Sequence, residues 1–175
     1  MHVSVGSRLW VLRAVAAALL LVVVARVALF TTYRVAGASM RETLQDGDRV
    51  VAASHPWLVQ PVLTGDTVIL SVDGEVLVKR VMACPGDSIA MDHGHVLRNG
   101  EPVVEAIPDS LEGGDSFPAY HLRRDEYFVL GDNRRVSIDS RDFGPVRTWQ
   151  VIGKVVLRMH GSEVSTVAAL ERTVP

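Results

Sequence analysis

Three places in this chain have residue types and spacing that could do chemistry: Ser39, Lys79, and a polar run over residues 131–146. Lys79 lies in EVLVKRV, residues 75–81, which reads as a strand. With a side-chain period of two, Leu77, Lys79 and Val81 share one face, and Val78 and Arg80 share the other. The lysine therefore falls on an apolar face. The chain has only two lysines, Lys79 and Lys154, against sixteen arginines. A desolvated lysine can lose its proton and act as a base, which an arginine cannot do. A hydroxyl nucleophile needs such a base, and Ser39 in GASM, residues 37–40, offers one. Gly37, Ala38 and, elsewhere, Gly144 are small enough to let a peptide backbone approach. In GDNRRVSIDSRDFGPV, residues 131–146, Ser137, Asp139 and Arg141 alternate by two and share a face, so the two charges could pair.

Each of these has a structural reading beside the chemical one. Ser39-Met40-Arg41-Glu42 fits a capping box, with serine at the N-cap and glutamate three residues on. A lysine on an apolar face can lay its stem on that surface and carry its head to water. A run rich in turn formers and opposite charges can be a polar loop. The histidines offer no better base. His93 and His95 alternate along one strand face and make a weak metal pair without a third ligand, while His2, His55, His121 and His160 are scattered. Cys84 is the only cysteine, which excludes an intrachain disulfide and a multi-cysteine metal site. No metal or other cofactor is expected.

The elements that must position these residues read as β. Strand patterns occur in YRVAG, DRVVAA, DTVILSV, EVLVKRVMA, DSIAM, HVLRNGEPVVE, EYFVLGD and WQVIGKVVLRM. Asn99–Gly100 predicts a two-residue hairpin turn. Gly-Asp pairs at 47–48, 65–66, 86–87 and 131–132 separate strand-like runs, and residues 54–63 form an apolar loop with two prolines. The expected fold is mainly β, a barrel-like assembly of short, mostly antiparallel strands. A helical turn or two is expected near the C-terminus.

The N-terminus is different. Residues 9–30 carry only two charges, Arg13 and Arg26, and enclose the unbroken apolar run Ala14–Ala25. About 20 mostly apolar residues make a bilayer-spanning helix. The competitor is a cleaved secretory signal with Ala36–Ala38 as its A-x-A site. Arginines flank both ends of the span, so charge does not orient it. The first 41 residues hold five arginines and no acid, and the rest of the chain carries 13 basic and 20 acidic residues. A basic N-terminus on an acidic body gives no nucleic-acid surface. The organisation expected is a tail over 1–8, a signal-anchor helix over 9–30, a β-rich domain over 31–160 and a tail over 161–175.

Taken together, GASMRETLQDGD (37–48), GDTVIL (65–70), LVKRVMACPGD (77–87) and GDNRRVSIDSRDFGPV (131–146) resemble the type I signal peptidase family of membrane-anchored serine proteases. The resemblance runs from about residue 14 to 157 and is closest to the compact Gram-positive, actinobacterial type. It implies Ser39 as nucleophile and Lys79 as general base, with Ser137 orienting the lysine and Asp139 and Arg141 bracing the site. It also implies a role in the oxyanion hole for the Ser39 N–H, and matches Met40 to the family's methionine beside the nucleophile. Gly37 stands where some members carry a second hydroxyl donor, and Glu42 stands where the family usually has proline. The implied substrates are signal-peptide-bearing preproteins cut after Ala-x-Ala. The implied setting is a single-pass protein in the lipid bilayer, near the secretion translocon, with its catalytic domain on the extracytoplasmic side. Two alternatives remain: a specialised relative with one substrate, of the conjugation or pilin type, and a non-catalytic anchored domain that binds peptides by strand addition.

Overall fold

A computed structural model describes residues 5–41, 43–54, 61–103 and 114–167. Glu42, His55, Trp57 and residues 168–175 lie outside the described residues, so the expectations for the Ser39–Glu42 cap and for a C-terminal helical turn are not addressed there. Helix α1 spans Val5–Ala28 and leads into strand β1, Phe30–Arg34. The strands that follow are β2 (Arg49–Ala53), β3 (Thr67–Val72), β4 (Glu75–Ala83), β5 (Ser88–Asp92), β6 (His95–Arg98), β7 (Glu101–Pro102), β8 (Phe117–His121) and β9 (Glu126–Leu130). A one-turn helix α2, Ser140–Phe143, then leads to β10 (Val146–Arg147), β11 (Val151–His160) and β12 (Glu163–Thr166).

The larger sheet runs in the order β1-β2-β11-β3-β4-β9-β10, with β12 also on β11, and the smaller runs β7-β6-β5-β8. Pairings among the described strands are antiparallel. The expected barrel is thus two open sheets among the described residues. The chain passes from one to the other where β4 bulges between Val81 and Ala83 and then turns at Gly86–Asp87 into β5. Strand β12 corrects the tail expected from residue 161, because Gly161 turns the chain back onto β11. The two-residue turn at Asn99–Gly100 forms as expected, with φ positive at both positions. Asp73–Gly74 and His93–Gly94 make the same turn. His93 therefore sits at a hairpin tip, which removes it from the strand face it was expected to share with His95.

Three of the Gly-Asp pairs build one repeated turn. The carboxylates of Asp48, Asp66 and Asp87 accept from the backbone N–H of Gln45, Leu63 and Cys84, each three residues back, at 2.7–2.9 Å. Side-chain closure of this kind stabilises tight turns at strand starts. The fourth pair, Gly131–Asp132, makes a different set of contacts: the Gly131 N–H donates to Asp139 and the Asp132 carboxylate accepts from Arg80.

Apolar side chains from β2, β3 and β11 and the loop after β1 form one core, with Met40, Leu44, Val50, Ile69 and Val155 buried in it. A second core joins the small sheet to β4 and β9 of the larger one, around Ile89, Met91, Phe128 and Leu130, and a third holds Val68, Leu70, Val81 and Val129. Strand β1 belongs to this body. It pairs with β2 over its whole length, and the following Val35 is buried and hydrogen-bonded to Asp48. A cut after Ala38 would strip an edge strand from the sheet, which counts against the removed-signal reading. On α1 the described side chains are those of residues 10–22 and 24, and the large apolar ones among them are exposed, Trp10 and Leu21 most of all. Among the described residues, no helix is long and apolar enough to cross a membrane.

Asp48 ties the loop after β1 to the end of β11. Its buried carboxylate meets Arg158 Nε and His160 Nδ1, each at 2.6 Å. Burial alone would raise its pKa, but the hydrogen bonds from His160, the Gln45 N–H and Arg158 outweigh that and hold it below the ordinary value. Asp48→Asn should cost about 2–3 kcal/mol, the worth of hydrogen bonds to a charged group, and lower the melting temperature. Because the folded pKa is depressed, the stabilisation is complete above about pH 4 and fades as pH falls through the folded value. Thermal unfolding of both proteins should therefore converge in acid, and a constant gap down to strong acid would contradict this linkage.

Candidate active site

Lys79 stands mid-strand in β4, opposite Val68 of β3 and next to Arg80, which pairs with Leu130 of β9. Only 2% of it is exposed. Its Nζ donates to Ser137 Oγ at 2.9 Å. Burial pushes its pKa down, and Arg141 pushes the same way, while Asp139, Asp142 and Asp132 oppose them without restoring the ordinary value. The sequence-based expectation of a lysine on an apolar face thus holds, and the structure removes the competitor in which the head reaches water.

Ser137 is buried in the loop between β9 and α2. Asp139 and Arg141 do pair, but not across a strand face. Asp139 is the N-cap of α2, and its carboxylate accepts from the Arg141 backbone N–H at 3.2 Å. The Arg141 guanidinium grips the same carboxylate at 2.9 and 3.0 Å. The spacing of two places them in a helix's first turn because Asp139 closes a capping box with Asp142. Burial would raise the Asp139 carboxyl, but the Arg141 hydrogen bond, the Gly131 N–H, the Arg141 charge and the Ser137 hydroxyl together hold it low. Arg141 also donates to the carbonyls of Arg134 and Ser137, at 2.7 and 3.4 Å, so one guanidinium fixes the whole loop.

Ser39 lies half-buried in the turn after β1, where Arg41 N–H donates to Ala38 and Leu44 N–H to Met40. Gly37, just before it, has φ of +91° and donates its N–H to Asp46 Oδ1. Gly144 ends α2. The carbonyl of Ser39 accepts from Asn133 N–H at 2.9 Å. The two segments meet at Gly131. A Cβ added there would fall 2.2 Å from Ser137 Oγ and 2.6 Å from the Ser39 carbonyl oxygen. The Gly131 N–H donates to Asp139 Oδ2 at 2.9 Å. Only a residue without a side chain lets the serine turn and the lysine's partner close on one another at this point.

Sequence reasoning missed Gly131 and also Arg80, Asp132 and Thr43. Arg80, buried beside Lys79, holds Asp132 with two hydrogen bonds of 2.8 Å. It also donates to Gly65 O at 2.8 Å and Thr43 Oγ1 at 3.0 Å, and Thr43 in turn donates to Asp132. The Asp132 N–H points to Met40 Sδ at 3.4 Å. Adjacent basic residues in one strand thus take two tasks: Lys79 faces Ser137, and Arg80 ties the serine turn to the loop that carries Ser137. The signal was present, since Arg80 shares a strand face with Val78 much as Lys79 does with Leu77 and Val81.

Gly131→Ala should disable the site far more than the fold. A Cβ at 2.2 Å from a hydroxyl must displace Ser137 or the Ser39 turn, and misplacement of about 1 Å costs on the order of 100-fold in rate. Turnover of a preprotein, measured beside thermal unfolding, checks this. Full activity in a folded Gly131→Ala protein would contradict the packing described.

A family model described as signal peptidase, peptidase S26, matches residues 8–160. Among curated proteins, a signal peptidase I of Bacillus amyloliquefaciens is 34% identical over 139 residues, covering 74% of this chain and 75% of that protein. The signal peptidase I V of Bacillus subtilis (strain 168) is 31% identical over 163 residues, covering 85% and 96%. The crystal structure of a signal peptidase I from Enterococcus faecalis V583 has the same fold, with a TM-score of 0.50 at 24% identity over 54% of this chain and 97% of that one. With the family model covering most of its length and these relatives aligned along the same stretch, the chain belongs to the signal peptidase family, peptidase S26.

Proposed function

We propose that this signal peptidase cuts preproteins with a Ser39–Lys79 dyad. The observation that carries the reading is the buried Lys79 donating to Ser137 Oγ at 2.9 Å. A neutral amine has one lone pair and two N–H donors. Spending a donor on Ser137 holds the amine in place and leaves the lone pair for a proton. Ser39 Oγ then attacks the scissile carbonyl carbon as Lys79 takes its proton. The tetrahedral oxyanion is met by backbone N–H groups, that of Ser39 among them, without a hydroxyl at position 37. Collapse of this intermediate breaks the C–N bond, and Lys79 returns the proton to the leaving amine. Water attacks the acyl-enzyme with Lys79 again as base, releasing the signal peptide with a free carboxylate and restoring Ser39.

Helix α1, in this reading, belongs to a signal-anchor over residues 9–30 that holds the β-domain at the extracytoplasmic face of the bilayer, near the translocon. The apolar run from Ala14 to Ala25 and the exposed apolar side chains of α1 support it. Substrates bind as extended chains with small residues at the first and third positions before the cut. Alternate side chains of an extended peptide point the same way, so two shallow sites select Ala-x-Ala. A non-catalytic peptide-binding domain would not be acylated by a serine-reactive probe, whereas this protein should be, at Ser39.

Lys79→Arg should be as inactive as Lys79→Ala, at least about 100-fold below the parent, because a guanidinium stays protonated. Only the neutral amine accepts a proton, so the rate should climb as pH rises through the depressed Lys79 pKa. Substantial activity in Lys79→Arg, or a rate that rises with pH nowhere below the ordinary lysine value of about 10.4, would contradict the base role. Phe in place of Ala immediately before the cut should nearly abolish cleavage of an otherwise identical preprotein. Equal rates for the two would refute small-residue selection.

A further inference from the structure

This inference rests on the dyad reading and concerns the other side of the scissile bond. A base that takes the Ser39 proton must deliver one to the leaving amine. The leaving nitrogen therefore comes within roughly 3 Å of Lys79 Nζ. The same Nζ is 2.9 Å from Ser137 Oγ. The first residues of the released protein thus pass beside the Ser137 segment.

Two side chains there have no role in the network around Lys79. Val136 and Ile138 flank Ser137 and are 58% and 68% exposed, while Ser137 itself is 8% exposed. Single exposed apolar residues are ordinary on a protein surface. This pair differs in its footing. Its loop is pinned by Arg141 to the carbonyls of Arg134 and Ser137, by Arg134 Nε to Gly131 O at 3.0 Å, and by Val136 N–H to Asn133 O at 3.3 Å. Two β-branched side chains, stiff at χ1, are held one residue either side of the lysine's partner. We propose that Val136 and Ile138 receive the first two side chains after the cut, favouring apolar residues there and disfavouring charged ones. The pair is a specificity determinant on the released side, separate from the Ala-x-Ala sites before the cut.

The test uses the full-length protein, assayed both in detergent and in liposomes, and preproteins identical except at the first two positions after the cut, which carry Ala, Leu or Glu. The parent should prefer Leu over Glu by about 10-fold in kcat/KM. The double variant Val136→Ser with Ile138→Ser should bring that ratio near one. Ile138→Lys should invert it, and its gain on the Glu substrate is an outcome that misfolding cannot produce. An unchanged Leu-to-Glu ratio in all variants would overturn the proposal. So would a loss equal for all substrates and confined to liposomes, since the pair would then touch lipid rather than the released chain. Lys79→Arg is assayed alongside on the Ala substrate. Retained activity there would remove the base, and this inference with it, whereas a changed ratio with Lys79→Arg inactive supports both.

Discussion

A lysine that is 2% exposed can be carried by a fold in two ways. It can be charged beside a carboxylate that neutralises it, or it can be neutral. Burying an unpaired ammonium is expensive, and the group normally sheds its proton instead. Around Lys79 the carboxylates are present but already committed. Asp139 is gripped by Arg141, and Asp132 by Arg80, each through two hydrogen bonds. Asp139 and Asp132 therefore arrive with their own counter-charges, and the third carboxylate, Asp142, is exposed to solvent and accepts from the Asp139 N–H, so together they do not outweigh the burial of Lys79. Its direct partner is a hydroxyl. Neutral lysine is the state this arrangement favours, and the rest of the site depends on it.

The same two pairs are also the mechanical links. Asp132 connects β4, through Arg80, to Thr43 in the serine turn. Asp139 connects Gly131 to α2 and, through Arg141, fixes the Ser137 loop. Charges that could have spoiled the lysine are thus used to hold in place the segments that meet at Gly131. The arginine-rich, lysine-poor composition fits this division of labour. A planar guanidinium that stays charged suits the bracing positions, and an amine that can lose its proton suits Lys79.

Much of this could be read from the chain. Strand β4 and its lysine were legible because Val, Leu and Val flank Lys79 at a period of two and the strand is bounded by turns. The Asn99–Gly100 hairpin was legible because its turn chemistry is local. Strand β8 was not, since FPAYH carries a proline and its described side chains are mostly exposed, leaving no alternation to read. The Asp139–Arg141 pair was anticipated but as a strand pair, because the α2 cap is visible only once Asp142 is seen to close it. Gly131 looked like one more turn glycine among the Gly-Asp pairs. Its importance lies in contacts with Ser137 and the Ser39 carbonyl, the latter 92 positions away in sequence, and no local pattern encodes such a contact. Arg80 was legible as a residue on the Val78 face but not as a brace, because its partner Asp132 is 52 positions away.

Having only two lysines makes the central claim directly measurable. Protein labelled with 13C at lysine Cε gives two resonances, and a Lys154→Arg variant leaves that of Lys79 alone. Titrated by NMR in detergent, the Lys79 signal should move at a pH below the ordinary lysine value of about 10.4, and the rate should rise over the same pH range. A Lys79 signal that titrates at or above the ordinary value would mean a charged lysine at working pH and would contradict the account.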